Sequence, residues 1–294
     1  MPHQLFSRPS DVKRVVKFRD PYSNKRDFGC LLIVGGSDVY SGAPALAGMA
    51  ALRTGAGMVF IAAPKWVTGA IRSYSPNLIV HSLSDNVITV DDAPKILELL
   101  SRADAIVLGP GIGLNSKTQA AIFEIVKAVI GTNKTMLIDA DAIRALHGRM
   151  EVLSKTKTVI TPHAGEFEAV SGIKMPHHWQ KRVPVCVEFA KKNSCVLLMK
   201  GHDTVITDGD CVRVNNTGNA GMATAGAGDV LSGIIGAFLA QGANPFFAAV
   251  AGAYVHGLAG DRAIKEKGCH LVASDLIEML PIVLRKYDRK KRQR

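Results

Sequence analysis

The chain has 294 residues, of which 47% are hydrophobic and 21% are charged. A chain of this size and composition can bury one substantial core, which favours one large α/β domain. No apolar run reaches the length of a membrane span, and residues 1–10 have no signal-peptide core. The five cysteines are scattered without a Cys-x-x-Cys pair, which disfavours a zinc site or redox dithiol and predicts buried thiols. We therefore expect a soluble, cytoplasmic protein.

The net charge of +11 raises the hypothesis of nucleic-acid binding, so the position of the charge matters. Residues 285–294 carry +6 and residues 1–30 carry +4, which leaves only +1 for the rest of the chain. A basic groove across the folded body is therefore not indicated. We interpret residues 285–294 as a solvated basic tail, which has at most weak and nonspecific contact with nucleic acid.

Short aliphatic runs alternate with helical patterns along the chain, an order that is typical of a parallel sheet. The predicted strands are 30–34, 58–62, 77–81, 105–108, 134–138, 158–160 and 195–199. The predicted helices between and after them are 42–54, 94–103, 116–130, 164–171, 183–192, 245–267 and 273–284. A hairpin is predicted over 204–214, with Asp208 and Gly209 as a two-residue turn. Such sheets bind ligands at the carboxyl ends of their strands.

The first two strand ends carry small residues that leave room for a ligand. After strand 30–34, Gly42 and Ala43 begin a helix, and we predict that they contact substrate. After strand 105–108, Gly109, Gly111 and Gly113 would let backbone lie against a ligand, although a simple loop could use the same residues. No G-x-G-x-x-G follows a strand and no G-x-x-x-x-G-K-[ST] occurs, so neither a Rossmann dehydrogenase nor a P-loop enzyme is supported.

Two acids follow strand 134–138. In extended backbone Asp139 and Asp141 would point the same way, and they could hold Mg²⁺ through water or position a nucleotide's phosphates. Asp141 could equally be the N-cap of a helix that begins at Ala142. The two interpretations stay open at this stage.

The residues after strand 158–160 predict the start of a helix with a good N-cap. Thr161 would be the N-cap, Pro162 the first helical residue and Glu166 part of the first turn. These roles leave His163 unexplained, because its two ring nitrogens would project near the end of the sheet. After strand 195–199, the segment 200–204 combines a lysine, a glycine turn and a threonine hydroxyl, which can engage phosphates or ribose.

The most informative segment is 216–242, NTGNAGMATAGAGDVLSGIIGAFLAQG. Its small residues Ala225, Gly226, Ala227 and Gly228 would form an anion hole of backbone N–H groups at the start of a helix. Asp229 would follow in the first turn, where the helix dipole stabilises a carboxylate as well as a phosphate. We therefore expect Asp229 to be ionised at neutral pH and within reach of a transferring phosphoryl group.

Residues 216–242 resemble the C-terminal signature of the ribokinase-like family of kinases, and within it most resemble the NAD(P)H-hydrate dehydratases. The segments YSGAPALAGMAALRTGAG, DADA, TPHAGEF and KGHDT are similar to motifs of that family in the same order. The pattern departs from the family at Ile143 and Arg144, where leucine and asparagine are commoner. The resemblance implies a ribokinase-like three-layer α/β sandwich, with a mostly parallel sheet and helices on both faces. Its domain would cover 28–284, with an N-terminal extension over 1–27 and the basic tail over 285–294.

The resemblance also implies roles for individual residues. Asp229 would be the catalytic base, and Ala43, Gly113 and His163 would contact substrate together with it. The nucleotide would be bound by Lys200, Gly201, His202, Asp203, Thr204 and Gly228.

The implied reaction converts (S)-NADHX or NADPHX back to NAD(P)H. It uses ADP or ATP, with Mg²⁺, to phosphorylate the C6 hydroxyl before phosphate is eliminated. ADP is favoured, and a homotetramer and a separate NAD(P)H-hydrate epimerase as metabolic partner are implied. One alternative is a small-molecule kinase of the same fold that acts on hydroxyethylthiazole or hydroxymethylpyrimidine. Another is a non-catalytic regulatory protein that binds nucleic acid through the tail.

Overall fold

The computed structural model describes residues 5–84, 86–155 and 158–288. Its nine-stranded sheet contains β1 (Cys30–Val34), β2 (Met58–Ala63), β3 (Ile79–Ser82), β4 (Ala105–Leu108), β5 (Thr135–Ile138), β6 (Thr158–Ile160), β7 (Val196–Met199), β8 (Thr204–Thr207) and β9 (Val212–Asn215). The α-helices of the described ranges are α1 (Pro9–Val15), α2 (Gly42–Thr54), α3 (Lys65–Tyr74), α4 (Ala93–Ser101), α5 (Ser116–Ile130), α6 (Asp141–Arg144), α7 (Ala164–Ser171), α8 (Trp179–Asn193), α9 (Ala227–Ala240), α10 (Pro245–Lys267) and α11 (Ala273–Leu284).

The sheet order is β3-β2-β1-β4-β5-β6-β7-β8-β9. Strands β1 to β7 pair in parallel, whereas β8 is antiparallel to both β7 and β9. The predicted mostly parallel sheet is therefore confirmed. Because the strands run the same way, the carboxyl ends of β1 and β4 to β7 meet at one edge of the sheet.

The strands are buried on both faces, so their side chains feed two separate cores. Leu31 and Ile33 of β1 belong to one core, with α2, α9, α10 and α11, while Leu32 and Val34 belong to the other, with α4, α5, α7 and α8. The near-continuous aliphatic strands of the sequence reflect this two-sided burial. The predicted three-layer sandwich is confirmed.

Helix α9 lies unusually close to its neighbours because it presents glycines to them. A methyl group on Gly233 would lie 2.1 Å from the carbonyl oxygen of Ala47 in α2. One on Gly236 would lie 2.7 Å from Val107 and 2.9 Å from Leu31 of the sheet. The small residues of α9 thus let it pack directly against both α2 and the central strands, as the sequence indicated.

Some predicted elements differ from the structure. Helices α1 and α3 were not predicted, and α8 begins at Trp179 rather than 183, with Pro184 inside it. The predicted two-residue hairpin turn is wrong, because Thr207 pairs with Val212 and leaves a four-residue loop, 208–211. The Asp208 carboxylate stabilises that loop by accepting hydrogen bonds from the N–H groups of residues 210 and 211, at 3.1 and 2.7 Å.

The residues before β1 pack on the body of the sheet. Helix α1 contacts α10, and the chain before it pairs with the outer strand β9. Ser7 N donates to the carbonyl of Val214 at 2.9 Å, and Val214 N donates to the carbonyl of Leu5 at 2.8 Å.

The expectation that all cysteines are buried is wrong for Cys211 and Cys269, which are exposed. Residues 289–294 of the predicted basic tail lie outside the described ranges. Within those ranges, no helix is long and apolar enough to cross a membrane.

Candidate active site

The carboxyl ends of β5, β6 and β7 bring three polar side chains together beneath the first turn of α9. Asp139, which is 2% exposed, accepts hydrogen bonds from Thr161 Oγ1 at 2.7 Å and from Lys200 Nζ at 2.9 Å through its Oδ1. Its Oδ2 accepts one from Ser232 Oγ of α9 at 2.6 Å. Lys200 Nζ also lies 3.6 Å from Glu166 Oε2 of α7. The site therefore has an ionic core in which Asp139 is buried and both of its carboxylate oxygens accept hydrogen bonds.

These contacts keep both buried members charged. Burial alone would raise the pKa of Asp139, but the Lys200 charge and the hydrogen bonds from Ser232, Lys200 and Thr161 hold it below the usual value. Burial would lower the pKa of Lys200, but the charges of Asp139 and Glu166 raise it above the usual value. The pair is thus an ammonium and a carboxylate at neutral pH.

Asp229 lies in the first turn of α9, one helical turn before Ser232 and on the same face. Burial and the Asp139 charge raise its pKa to about 7, although the charge of Lys200 opposes them. The sequence-based expectation that Asp229 is fully ionised is therefore wrong. The favourable helix dipole is outweighed by desolvation and by a neighbouring carboxylate. An acid with a pKa near neutrality is suited to proton transfer.

The residues of the predicted anion hole, 225–228, form the turn and helix start that precede Asp229. Gly226 is the N-cap of α9 with φ = +88°, a conformation that favours glycine. The N–H groups of Gly228 and Asp229 belong to the first turn, so they have no carbonyl partner within the helix. These N–H groups can donate hydrogen bonds to a phosphate oxygen, and the positive end of the helix favours the negative charge of the phosphate.

A cavity of about 720 Å³ opens beside this turn. Its walls include seven of the predicted residues, namely His163, Lys200, Gly201, His202, Thr204, Ala227 and Gly228. A methyl group on Gly228 would lie 3.8 Å from Lys200 Nζ, so the lysine faces the glycine turn across the cavity. Asp203 is absent from the lining, and its carboxylate instead pairs with His202 Nδ1 at 3.4 Å.

His163 caps the N-terminus of α7, a role that the sequence analysis assigned to Thr161. It is the N-cap of α7, where its Nδ1 accepts from the N–H groups of residues 165 and 166 at 3.0 and 3.2 Å. The prediction of Thr161 as N-cap is wrong, because its hydroxyl donates to Asp139 instead. His163 Nε2 lies 3.4 Å from Glu166 Oε1, and the ring is half exposed at the cavity wall. His163 can therefore cap α7 and contact a ligand at the same time.

Two substitutions separate these roles of His163. We expect His163→Asn to keep the stability of the protein within about 0.5 kcal/mol, because asparagine is a good N-cap, and His163→Ala to lose about 1 kcal/mol. If the ring also contacts substrate, both variants raise the KM for substrate by a similar factor. Urea unfolding and steady-state kinetics measure the two effects. A normal KM in His163→Asn would leave the histidine with capping alone.

The predicted substrate residues Ala43 and Gly113 lie on another part of the same sheet edge. A methyl group on Gly111, in the loop after β4, would lie 2.9 Å from Cβ of Ala43 at the start of α2. Gly113 has φ = +72°, and its carbonyl accepts from Gln119 Nε2 at 3.1 Å. Neither Ala43 nor Gly113 lines the 720 Å³ cavity, whereas His163, the third predicted substrate contact besides Asp229, does.

Asp139 and Asp141 do not form the predicted acid pair. The chain turns at Ala140, with φ = +51°, and Asp141 begins helix α6 instead of capping it. Its carboxylate lies 3.9 Å from Arg144 Nε, while both oxygens of Asp139 are occupied by protein donors. The residues of 5–84, 86–155 and 158–288 contain no group of three His, Cys, Asp or Glu that could hold a metal ion. These side chains therefore do not fit a Mg²⁺ site of their own.

Sequence reasoning missed the far wall of the cavity. His256 of α10 lines it, and burial lowers the pKa of this histidine to about 4, so it is neutral. The carboxylate of Asp261 holds the adjoining loop by accepting from Gly218 N and from Asn219 Nδ2, both at 3.1 Å. Nothing in the local sequence distinguishes His256 or Asp261 from ordinary residues of an amphipathic helix, and only the packing of α10 reveals them.

The fold and this arrangement are those of a ribokinase-like protein. Residues 31–282 match the NAD(P)H-hydrate dehydratase family, so the chain belongs to that family.

Solved structures agree with the family match. A crystal structure of the Bacillus subtilis ADP/ATP-dependent NAD(P)H-hydrate dehydratase, co-crystallised with ATP/Mg²⁺, is similar with a TM-score of 0.84 and 28% identity, covering 98% of this chain and 100% of that one.

Curated relatives divide into two kinds. The ADP-dependent (S)-NAD(P)H-hydrate dehydratase of Cenarchaeum symbiosum is 36% identical over 281 residues, 95% of this chain and 96% of that protein. The bifunctional NAD(P)H-hydrate repair enzyme of Pyrobaculum aerophilum is 40% identical over 284 residues, 97% of this chain but only 56% of that protein. The chain thus spans about half the length of the bifunctional relative.

Proposed function

We propose that this protein is a nucleotide-dependent (S)-NAD(P)H-hydrate dehydratase, a hydro-lyase that restores NADH or NADPH from its hydrated form. The observation that carries the proposal is Asp229, an acid with a pKa of about 7, directly after the glycine turn beside a cavity of about 720 Å³. A base and an anion-binding turn on one helix are what phosphorylation of a hydroxyl requires. The similarity to the ADP-dependent enzyme of Cenarchaeum symbiosum supports this reaction.

In the proposed mechanism, Asp229 accepts the proton of the C6 hydroxyl of the hydrated nicotinamide ring. The C6 oxygen then attacks the terminal phosphoryl group of ADP or ATP, and AMP or ADP leaves. The electron pair of the ring nitrogen expels phosphate from C6, because phosphate is a far better leaving group than hydroxide, and leaves a positively charged N1=C6 bond. Loss of a proton from C5 to solvent then returns the electron pair to the nitrogen and forms the C5=C6 double bond. The N–H groups of the turn at Gly226 and Gly228 hold the developing phosphoryl charge.

The two halves of the sheet edge divide the ligands between them. The cavity that contains Lys200, Thr204 and Gly228 takes the nucleotide, while Ala43 and Gly113 contact the hydrated ring. His163, at the wall of that cavity, contacts the ring from the nucleotide side. Mg²⁺ arrives with the nucleotide phosphates in this proposal, since the described side chains do not fit a metal site of their own. No step of the mechanism depends on a protein-bound metal ion.

The proposal is tested by adding the purified protein to hydrated NADH with Mg²⁺ and either ADP or ATP. We expect the absorbance band of NADH to return together with an equal amount of phosphate, faster with ADP. Phosphorylation of a thiazole or pyrimidine alcohol without recovery of NADH would identify a small-molecule kinase instead. Nucleic-acid binding that is lost when residues 285–294 are deleted, without either activity, would favour the regulatory alternative.

The pKa of Asp229 predicts the pH dependence of the reaction. A general base works when ionised, so kcat/KM should fall about tenfold for each pH unit below a midpoint near pH 7, the value to which its pKa is raised. Initial rates of NADH recovery across the acid to neutral range measure this midpoint. A midpoint near about 4, the ordinary value of an aspartate, would contradict the role of Asp229 as the titrating base.

We also propose that the protein works in the cytoplasm as a homotetramer beside a separate NAD(P)H-hydrate epimerase. The Pyrobaculum aerophilum relative is a bifunctional repair enzyme of nearly twice the length, which supports a second activity in the same repair process. Light scattering of the purified protein measures the assembly state. Recovery of the second hydrate epimer only after an epimerase is added would support the partnership.

A further inference from the structure

Lys200 is held in a geometry that leaves one donor for a ligand. Its ammonium has three N–H groups. One donates to Asp139 Oδ1 at 2.9 Å, and a second faces Glu166 Oε2 at 3.6 Å. The side chain is 21% exposed, and that exposure is toward the cavity that Gly228 also lines. The third N–H group therefore faces the space beside the glycine turn.

We propose that Asp139 is a positioning residue, which holds the Lys200 ammonium against the glycine turn so that it meets the terminal phosphate of a bound nucleotide. Asp139 is 2% exposed and uses both oxygens on protein donors, so it touches neither ligand. Through Ser232 it also ties this ammonium to α9, the helix that carries Asp229. The inference deepens the proposed function, because it assigns the device that aligns the phosphate with the base.

The same geometry lets Asp139 influence the protonation of Asp229. Burial raises the pKa of Asp229 most, the Asp139 carboxylate raises it further and the Lys200 ammonium lowers it. Glu166 of α7 acts on Lys200, and the neutral His256 of α10 faces the same charge. Helix α9 itself adds no further titratable side chain within residues 227–240. Asp139 and Lys200 therefore shift the pKa of Asp229 in opposite directions.

Substitution of Asp139 and substitution of Lys200 should therefore change the pKa of Asp229 in opposite directions. In Asp139→Asn, the pKa of Asp229 should fall by about one unit or more, because a like charge is removed. In Lys200→Gln it should rise, because the opposite charge is removed. Both variants should weaken ADP binding by about tenfold or more, since each loses a charge-assisted hydrogen bond or its alignment. Ser232→Ala is the matched control, because it removes a hydrogen bond to Asp139 but no charge, and it should move the pKa of Asp229 little.

The experiment follows the ¹³Cγ signal of Asp229 during a pH titration of each full-length variant, with the Kd for ADP measured by calorimetry. Neither readout requires turnover, so a failed dehydratase assay leaves both informative. If the wild-type protein does not bind ADP, the nucleotide part of the proposed function fails, and the carboxyl titration still decides on Asp139. If Asp139→Asn does not fold, Lys200→Gln and Ser232→Ala carry the test. Wild-type affinity for ADP in Asp139→Asn, or an Asp229 pKa that shifts equally in Asp139→Asn and Ser232→Ala, would overturn the proposal.

Discussion

Asp229→Asn is expected to lower kcat by at least ~100-fold, the usual range for removal of a general base. Asparagine has nearly the shape of aspartate, so the first turn of α9 and the glycine turn at Gly226 should keep their conformation. Nucleotide affinity should stay near that of the wild-type protein or improve, because a carboxylate no longer faces the phosphates. Single-turnover rates of NADH recovery and ADP binding by calorimetry measure the two quantities separately.

The control for this experiment is Asp210→Asn, at the exposed tip of the β8–β9 hairpin. The Asp210 side chain is 88% exposed and lies 3.8 Å from Lys191 Nζ, so its loss should change neither rate nor stability appreciably. Turnover by Asp229→Asn within a few-fold of this control would rule out Asp229 as the base.

The second large effect is expected from Gly233→Ala in α9. The added methyl group would lie 2.1 Å from the carbonyl oxygen of Ala47 and 2.9 Å from Cβ of Ala50, so α2 and α9 must move apart. Overpacking of this kind costs typically about 1–3 kcal/mol, and we expect the upper part of that range because a backbone atom is in the way. The midpoint of urea unfolding measures the loss. Activity should fall as well, because the movement displaces the turn that carries Asp229.

Gly69→Ala in α3 provides the matched comparison. It is also a glycine within a helix, but a methyl group there meets nothing within 4 Å. The change should therefore stabilise the protein by about 0.5–1 kcal/mol through helix propensity. Equal unfolding midpoints for the two variants would show that the contact between α2 and α9 gives way easily.

The sequence predicted the sheet well because parallel strands buried on both faces leave long aliphatic runs, as in β1 and β4. It also predicted which strand ends carry polar residues, since this follows from order along the chain. It did not predict their partners. Extended backbone would point Asp139 and Asp141 the same way, which was one of the two open interpretations, whereas the turn at Ala140 separates them and leaves Asp139 facing Lys200.

The protonation state of Asp229 could not be predicted for a related reason. The helix dipole is a local property that the sequence reveals, but desolvation and the charge of Asp139 depend on contacts made far along the chain. Ser232 and Asp139 are 93 residues apart in the sequence, yet they share a hydrogen bond of 2.6 Å. This bond holds α9, which carries Asp229, against the strand end that carries Asp139. His256 is a similar case, since α10 packs against the cavity only in the folded protein.

The pairing of Leu5 and Ser7 with Val214 has a consequence for the solubility of the protein. It occupies the open hydrogen-bonding side of β9, which would otherwise offer unpaired N–H and C=O groups at the margin of the sheet. A margin uncovered in this way is a template on which another polypeptide can add a strand. Removal of residues 1–8 would therefore favour aggregation, which would be measured as a slow rise in light scattering by an otherwise folded protein.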